Sequence, residues 1–278
     1  METVNSWQRF AEVTIATNDL DPVYQVARGA RCIYGDDWAA RFCMHFLLSY
    51  HMGGSAKAAT EEWSWDRYKY EFDTMWRGTE RRHYRGAQGR NALGRLAAAS
   101  ESPLHAFRAM VAPNYTALRK MFSGGRFERC GFGDYFIWKT LDFQTRVFDN
   151  QIALSLEEAN VGLPTDPRQA ALGLFPQDPL IRCLEIVTDH ISNFHLPFGG
   201  PGYCGIQEAE TVLCMLKGAF ITRKHQIGDD IEDKRKALDG WPDLQRLMPF
   251  SCIGQYKVGT LHEVEPALVS NSGGAMDA

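Results

Sequence analysis

The sequence predicts an all-α fold in a single helical domain. Three observations carry that expectation. Apolar residues recur at helical spacing through most of the chain, alternating strand patterns are almost absent, and glycine and proline fall between apolar segments of helix length. At 278 residues the chain can bury about three quarters of the surface its unfolded form exposes, so it needs neither metal nor disulfide to fold. No repeat of fixed period and no long linker divides it. The domain is therefore expected over residues 1–269, followed by a disordered tail, 270–278, rich in small and polar residues.

The first clear helix is Trp38–Tyr50. There Trp38, Phe42, Phe46 and Tyr50 recur every four residues, Asp36 and Asp37 sit at the start, and Gly53-Gly54 is expected to stop it. Segment Glu61–Arg77 is rich in Trp and Tyr and reads as helix, or helix plus loop. Pro103–Phe122 reads as helical with a break at Pro113, ended by Gly124-Gly125. A short turn, Cys130-Gly131-Phe132-Gly133, then leads into a helix over Tyr135–Phe148. Pro164–Pro179 reads as a loop-rich connector, Leu180–Phe194 and Gln207–Ile221 as helices, and Phe198–Tyr203 as a glycine-rich loop. Trp241-Pro242 breaks the chain.

Composition narrows the function. The net charge of −4 argues against a protein coated in positive charge, so any contact with nucleic acid runs through a local patch. Met1–Phe10 lacks the pattern of a secretory signal, and no apolar run approaches the roughly 20 residues that span a bilayer. The seven cysteines form no C-x-x-C pair, which disfavours zinc ribbons, redox motifs and iron–sulfur loops; reduced thiols in a cytoplasm are the expectation. The pairs His45/His51 and His190/His195 lack helical metal-ligand spacing, so no metal and no cofactor is expected.

Four patterns can carry chemistry. The turn Gly131-Phe132-Gly133 between two helices can bring a phosphate close to backbone amides at a helix start, as a helix-hairpin-helix element over about 113–149 would; an ordinary helix connection is the plain alternative. On the next helix Lys139, Asp142, Arg146 and Asp149 are spaced to share one face, which by default is a solvated charge stripe. Between Arg77 and Arg95 six arginines (Arg77, Arg81, Arg82, Arg85, Arg90, Arg95) face one acid, Glu80, a local +5 suited to bidentate phosphate contacts. Finally, Gln207, Glu210, Cys214 and Lys217 share a face just after Gly199, Gly200, Gly202 and Gly205, without the G-K-[ST] of a nucleotide-hydrolysing loop. Trp63, Trp65 and Trp76 could stack bases, although tryptophans are more often core.

Several of these segments, in this order, resemble the alpha-glutamyl/putrescinyl thymine pyrophosphorylases, mainly bacteriophage proteins also called amino acid:DNA transferases. The resembling pieces are WAARFCMHFLLSY (Trp38–Tyr50), Arg81-Arg82-His83-Tyr84-Arg85-Gly86, GFGDYFIWKTLDFQTR (Gly131–Arg146), and EAETVLCMLK (Glu208–Lys217) followed by Ile227–Ile231. Family members usually carry Cys-Lys-x-Lys near the last helix; here Met215 stands at the first lysine and Lys217 at the second.

The resemblance implies a fold like that of helix-hairpin-helix DNA glycosylases and a reaction on double-stranded DNA in the cytoplasm of an infected host. Pyrophosphate on hydroxymethyluracil is replaced by an amine, either an amino acid such as glycine or glutamate or a polyamine such as putrescine. On that reading Lys139 and Lys217 stabilise the leaving anion and Asp142 or Glu210 accepts the amine proton. Arg77, Arg81, Arg82, Arg85, Gly131, Gly133 and Arg146 then hold pyrophosphate or DNA. Direct displacement is favoured over attack on the ring by a Cys214 thiolate. A helix-hairpin-helix DNA glycosylase and a non-catalytic DNA-binding protein are the competing functions, and the arginine segment fits both.

Overall fold

A computed structural model describes residues 1–74, 86–197, 202–222 and 226–259. The fold is all-α. In chain order the helices are α1 (Trp7–Ala16), α2 (Val23–Tyr34), α3 (Asp36–Ser49), α4 (Met52–Thr60), α5 (Trp65–Tyr70), α6 (Gly86–Ala99), α7 (Pro103–Ala109), α8 (Tyr115–Ser123), α9 (Asp134–Asp142), α10 (Leu156–Gly162), α11 (Thr165–Leu174), α12 (Leu180–Ile191), α13 (Ile206–Leu216), α14 (Asp229–Ala237) and α15 (Pro242–Gln245). Wide π-turns extend α9 (Phe143–Val147) and α13 (Lys217–Ile221), and a 3-10 turn spans Glu128–Cys130. Two short strands, β1 (Glu2–Val4) and β2 (Tyr256–Val258), pair in parallel with Glu2 opposite Tyr256. No described helix is long and apolar enough to cross a membrane.

The helix starts follow local chemistry. Ser6, Ser64, Ser102, Asn114 and Ser155 each stand one residue before a helix, and each side chain accepts a backbone N–H of the first turn. Helix α3 instead follows Gly35 and opens with Asp36 and Asp37, whose charges favour the positive end of the helix. The break expected at Pro113 is real: α7 ends before it and α8 begins after Asn114.

The described residues form two compact units. One comprises the described parts of Met1–Pro22, Ser155–Asp233 and Pro249–Ala278. Its core gathers Phe10 of α1, Leu184 and Val187 of α12, and Val212 and Leu213 of α13. The other comprises the described parts of Val23–Leu154 and Lys234–Met248, built on Phe42 and Phe46 of α3, Phe107 of α7, Tyr115 and Leu118 of α8, and Trp138 and Leu141 of α9. Each such fully buried aliphatic or aromatic side chain contributes about 1.5–3 kcal/mol. Trp63 and Trp65 are buried in the second unit and offer no face for a base; Trp76 lies outside the described residues.

Two expectations about helices are corrected. Gly53-Gly54 does not stop α3; Tyr50 does, in the left-handed conformation (φ 54°), and both glycines sit inside α4. The reason is tertiary: a Cβ on Gly53 would lie 2.2 Å from the Ala237 carbonyl oxygen, so only glycine allows that approach. The connector Pro164–Pro179 contains helix α11, because Pro167 falls in its first turn, where a missing N–H costs nothing. The segment 198–201 of the glycine-rich loop and the tail 270–278 lie outside the described residues.

Candidate active site

Helix α9 departs most from its sequence reading. It is buried nearly all round, and the charged pair expected on a solvated stripe is inside: Lys139 is 3% exposed and Asp142 2%. The stripe also does not run on. The chain passes from α9 into a π-turn, with Phe148 N–H donating to the Phe143 carbonyl at 3.3 Å, and this wider turn rotates everything after Asp142. Arg146 ends half-buried, and Asp149 leaves the helix at φ 58°.

That end of the helix is held by α2. Arg28 donates to the Arg146 carbonyl at 2.8 Å and Arg31 to the Val147 carbonyl at 2.7 Å, while both guanidinium groups pair with Asp149 at 2.7 and 3.1 Å. The other end begins at Gly133, with Asp134 in the first turn paired to Arg119 of α8 at 2.8 Å. The positive φ of the turn falls at Gly131 (72°), preceded by the 3-10 turn; Gly133 is at −87° in open space, so its flexibility is not required.

Lys139 and Asp142 meet over a third residue that the sequence did not mark. The Lys139 ammonium donates to the Tyr24 hydroxyl oxygen at 2.8 Å, and that hydroxyl donates to Asp142 Oδ2 at 2.7 Å. The direct Lys139–Asp142 separation is 3.5 Å. Taking two charges out of water costs several kcal/mol per ion, and mutual attraction offsets it only when further hydrogen bonds complete the geometry. The phenol supplies them, since it accepts from the cation and donates to the anion. The same chain of protons lets Asp142 take a proton through Tyr24 as well as directly.

Around this trio the aromatic side chains close a circuit. Tyr24 meets Phe143 edge-on at 5.3 Å, Phe143 meets Phe46 at 5.7 Å, Phe46 meets Tyr50 at 4.6 Å, and Tyr50 meets Tyr135 at 6.3 Å. The Lys139 ammonium bridges the gap, 5.8 Å from the Tyr135 ring and 5.2 Å from Tyr24. A second lysine, Lys234 of α14, lies 4.4 Å from the Tyr50 ring and 5.8 Å from Phe46. Tyr135 is half-buried, with its hydroxyl oxygen inside. Phe46 and Tyr50 were visible as part of the α3 stripe, and Tyr135 stands one helical turn before Lys139; nothing in the sequence says that they converge with Tyr24 and Lys234.

The residues expected on α13 belong to the other unit. Glu208 closes its N-terminus by accepting the Gly205 N–H at 2.8 Å. Glu210 is buried, with Thr211 donating to it at 3.3 Å, and Cys214 is a half-buried free thiol. Lys217 starts the π-turn and pairs with Asp166 of α11 at 2.6 Å, with Gln169 also accepting from it. The segment Ile227–Ile231 has a structural task in the same unit. Buried Asp19 accepts from Gly228 N–H at 2.6 Å and Ile231 N–H at 3.3 Å, capping α14. Burial first, then the neighbouring Asp230 charge, push its carboxyl up to about 8 against the pull of those two amides.

Arg77, Arg81, Arg82 and Arg85 lie outside the described residues. Of the rest of that basic segment, Arg90 pairs with Asp73 and stacks 5.1 Å over Phe72. Among the described residues no three His, Cys, Asp or Glu side chains gather as a metal ion would need.

On the Gly131–Arg146 segment a lysine and an aspartate are thus buried around Tyr24 of α2, and comparison with known proteins gives the chain a direction. Over most of its length the chain is similar to a bacteriophage transferase. That relative is the putrescinyltransferase of Delftia phage PhiW-14, 26% identical over 261 residues that cover 87% of this chain and 81% of the phage protein. The similarity bears out the resemblance to the putrescinyl/glutamyl thymine pyrophosphorylases. No family model matches the chain.

Proposed function

We propose that the chain is a DNA base-modifying transferase that displaces pyrophosphate from 5-(pyrophosphoryloxymethyl)uracil in DNA with an amine, and that the amine is putrescine or a close polyamine. The observation that carries this reading is the near end-to-end similarity to a protein named for putrescinyl transfer. In the reaction the amine nitrogen forms a bond to the exocyclic methylene carbon. The carbon–oxygen bond to the diphosphate breaks, and its electron pair leaves with the diphosphate. The nitrogen then sheds a proton.

Asp142 accepts that proton, directly or through Tyr24, and Lys139 offsets the charge that develops on the leaving group. Glu210 and Lys217, on the other unit, are the alternative base and cation. Arg77, Arg81, Arg82, Arg85 and Arg146, with the turn at Gly131–Gly133, hold diphosphate or the DNA backbone. The target base leaves the stack to react, at a cost of a few kcal/mol.

The test is mass spectrometry of nucleosides from pyrophosphorylated hydroxymethyluracil DNA incubated with the protein and a mixed pool of amines. A thymidine carrying putrescine at the methyl carbon is the expected product. Abasic sites would make the protein a glycosylase, and unchanged nucleosides with salt-dependent DNA binding would leave it a DNA-binding protein without this chemistry.

A further inference from the structure

Arg28 and Arg31 carry no mark in the sequence, yet they hold the place where α9 widens into its π-turn. With Tyr24 they stand at i, i+4 and i+7 of α2, so the three side chains leave one face of that helix. All three reach the same stretch of chain. Tyr24 donates to Asp142 Oδ2, Arg28 to the Arg146 carbonyl and Arg31 to the Val147 carbonyl, at 2.7, 2.8 and 2.7 Å. The partners advance together, so α2 and the end of α9 run side by side in the same direction.

Satisfying the last carbonyls of a helix does not require this arrangement. Water serves them at a helix end that reaches the surface, and Asp149 beside them has 47% of its side chain exposed. Water does not fix one helix along another. Asp149 adds to the fixing: its backbone holds φ 58°, a left-handed conformation uncommon outside glycine, and its one carboxylate takes both guanidinium groups. Such positions persist where their surroundings over-determine them, and they gather at functional sites, as π-turns do. Arg31 is held from its other side by Asp36 at 2.7 Å and lies 5.2 Å from the Phe148 ring centroid. Two guanidinium groups thus face two carboxylates, so the cluster acts by position rather than by its field.

Resting on the transfer reaction argued above, we infer that Arg28 and Arg31 are positioning residues for it. By locking α2 onto the π-turn they keep the Tyr24 hydroxyl on Asp142, the group that takes the amine proton. A slide of α2 by one residue is about 1.5 Å. It would carry the hydroxyl off its 2.7 Å line to Asp142 and off its 2.8 Å line to the Lys139 ammonium. Misplacement on the order of 1 Å costs a reaction up to about 10²-fold.

The experiment measures kcat and KM for putrescine transfer to pyrophosphorylated hydroxymethyluracil DNA with the full-length chain. Arg28→Gln, Arg31→Gln and Asp149→Asn are each made in wild type and in Tyr24→Phe. In wild type each arginine substitution should lower kcat about 10- to 100-fold, with KM for DNA and amine within about twofold. In Tyr24→Phe no hydroxyl is left to position, and the same substitutions should lower kcat less than about threefold. Equal fold losses in the two backgrounds would overturn the proposal, because a part that only stabilises the fold does not depend on one phenolic oxygen. Wild-type kcat in folded Arg28→Gln and Arg31→Gln chains would overturn it as well. If the arginine variants do not fold, the exposed Asp149 decides: Asp149→Asn slowing turnover in wild type but not in Tyr24→Phe supports the role, and an equal effect in both overturns it.

The two readings fail separately, because the proton between Tyr24 and Asp142 reports on position without turnover. Its downfield resonance, identified by its loss in Tyr24→Phe, should shift or broaden in Arg28→Gln. That shift in a chain that transfers no amine would remove the transfer reaction and keep the placing of the hydroxyl by α2. An unchanged resonance would overturn the positioning even where transfer proceeds.

Discussion

Replacing Tyr24 with phenylalanine removes one oxygen and leaves every ring contact in place. That oxygen takes a hydrogen bond from Lys139 at 2.8 Å and gives one to Asp142 at 2.7 Å, both buried. A hydrogen bond to a charged partner is worth about 1.5–3 kcal/mol net, so losing two costs roughly 3–6 kcal/mol if nothing relaxes. Something does relax. The ammonium and the carboxylate stand 3.5 Å apart and can close on each other, recovering part of the loss. The expected net destabilisation is about 2–4 kcal/mol, which in a protein of this size lowers the melting temperature by roughly 5–15 °C.

Calorimetry and urea titration read the single change. A double-mutant cycle with Lys139→Met isolates the coupling, expected at about 1–3 kcal/mol. The methionine removes the cation that the phenol was serving, so the second substitution should cost less in its presence. A Tyr24→Phe protein within about 0.5 kcal/mol of wild type, or additive effects in the cycle, would mean that the hydroxyl does not bridge the pair.

Three further outcomes are expected. The Asp19 carboxyl, raised to about 8, keeps in the folded protein a proton that the unfolded chain releases near pH 4. Its contribution is therefore fully present below pH 4 and falls as pH rises towards 8, by up to about 4 kcal/mol between pH 5 and 8. Asp19→Asn should flatten that decline in urea midpoints, and an unchanged slope would count against it. Gly228→Ala should destabilise by about 1–3 kcal/mol in thermal unfolding, because φ is +95° and the new Cβ would sit 3.0 Å from Cys252 Sγ and 3.1 Å from the Ile253 nitrogen; a melting temperature equal to wild type would contradict that geometry. In the transfer assay Asp142→Asn should slow turnover by about 10²–10⁴, with partial recovery at higher pH as more amine is unprotonated, whereas Lys139→Met should show no such recovery. Equal pH profiles for the two would remove Asp142 as the base.

The helices were legible wherever local chemistry decides them. The α3 stripe, the Pro113 break with its Asn114 cap, and α12 all follow from period and punctuation. Where tertiary contact decides, the reading turned the wrong way. Glycines 53 and 54 look like a stop, but both lie inside α4, and Gly53 is thin enough for that helix to approach Ala237. Lys139 and Asp142 look like surface, because charges three apart on a helix usually are. Their burial depends on a phenol 115 positions earlier in the chain. Nor does any spacing announce the π-turn, which takes Asp149 off the face that the count had given it.

Tyr24, Arg28 and Arg31 are all carried by α2, and together they take hold of α9 at its middle and of the π-turn at its end. The two helices are therefore a single heritable part, although more than a hundred residues of chain separate them. A chimera that imports the Gly131–Arg146 segment from a distant relative would bring a lysine and an aspartate into a seat cut by another protein's α2. The ammonium would lose its phenol and the last carbonyls their guanidinium groups at one stroke. Grafting α2 and α9 as a matched pair restores both, and libraries aimed at this site are best recombined with that pairing kept intact.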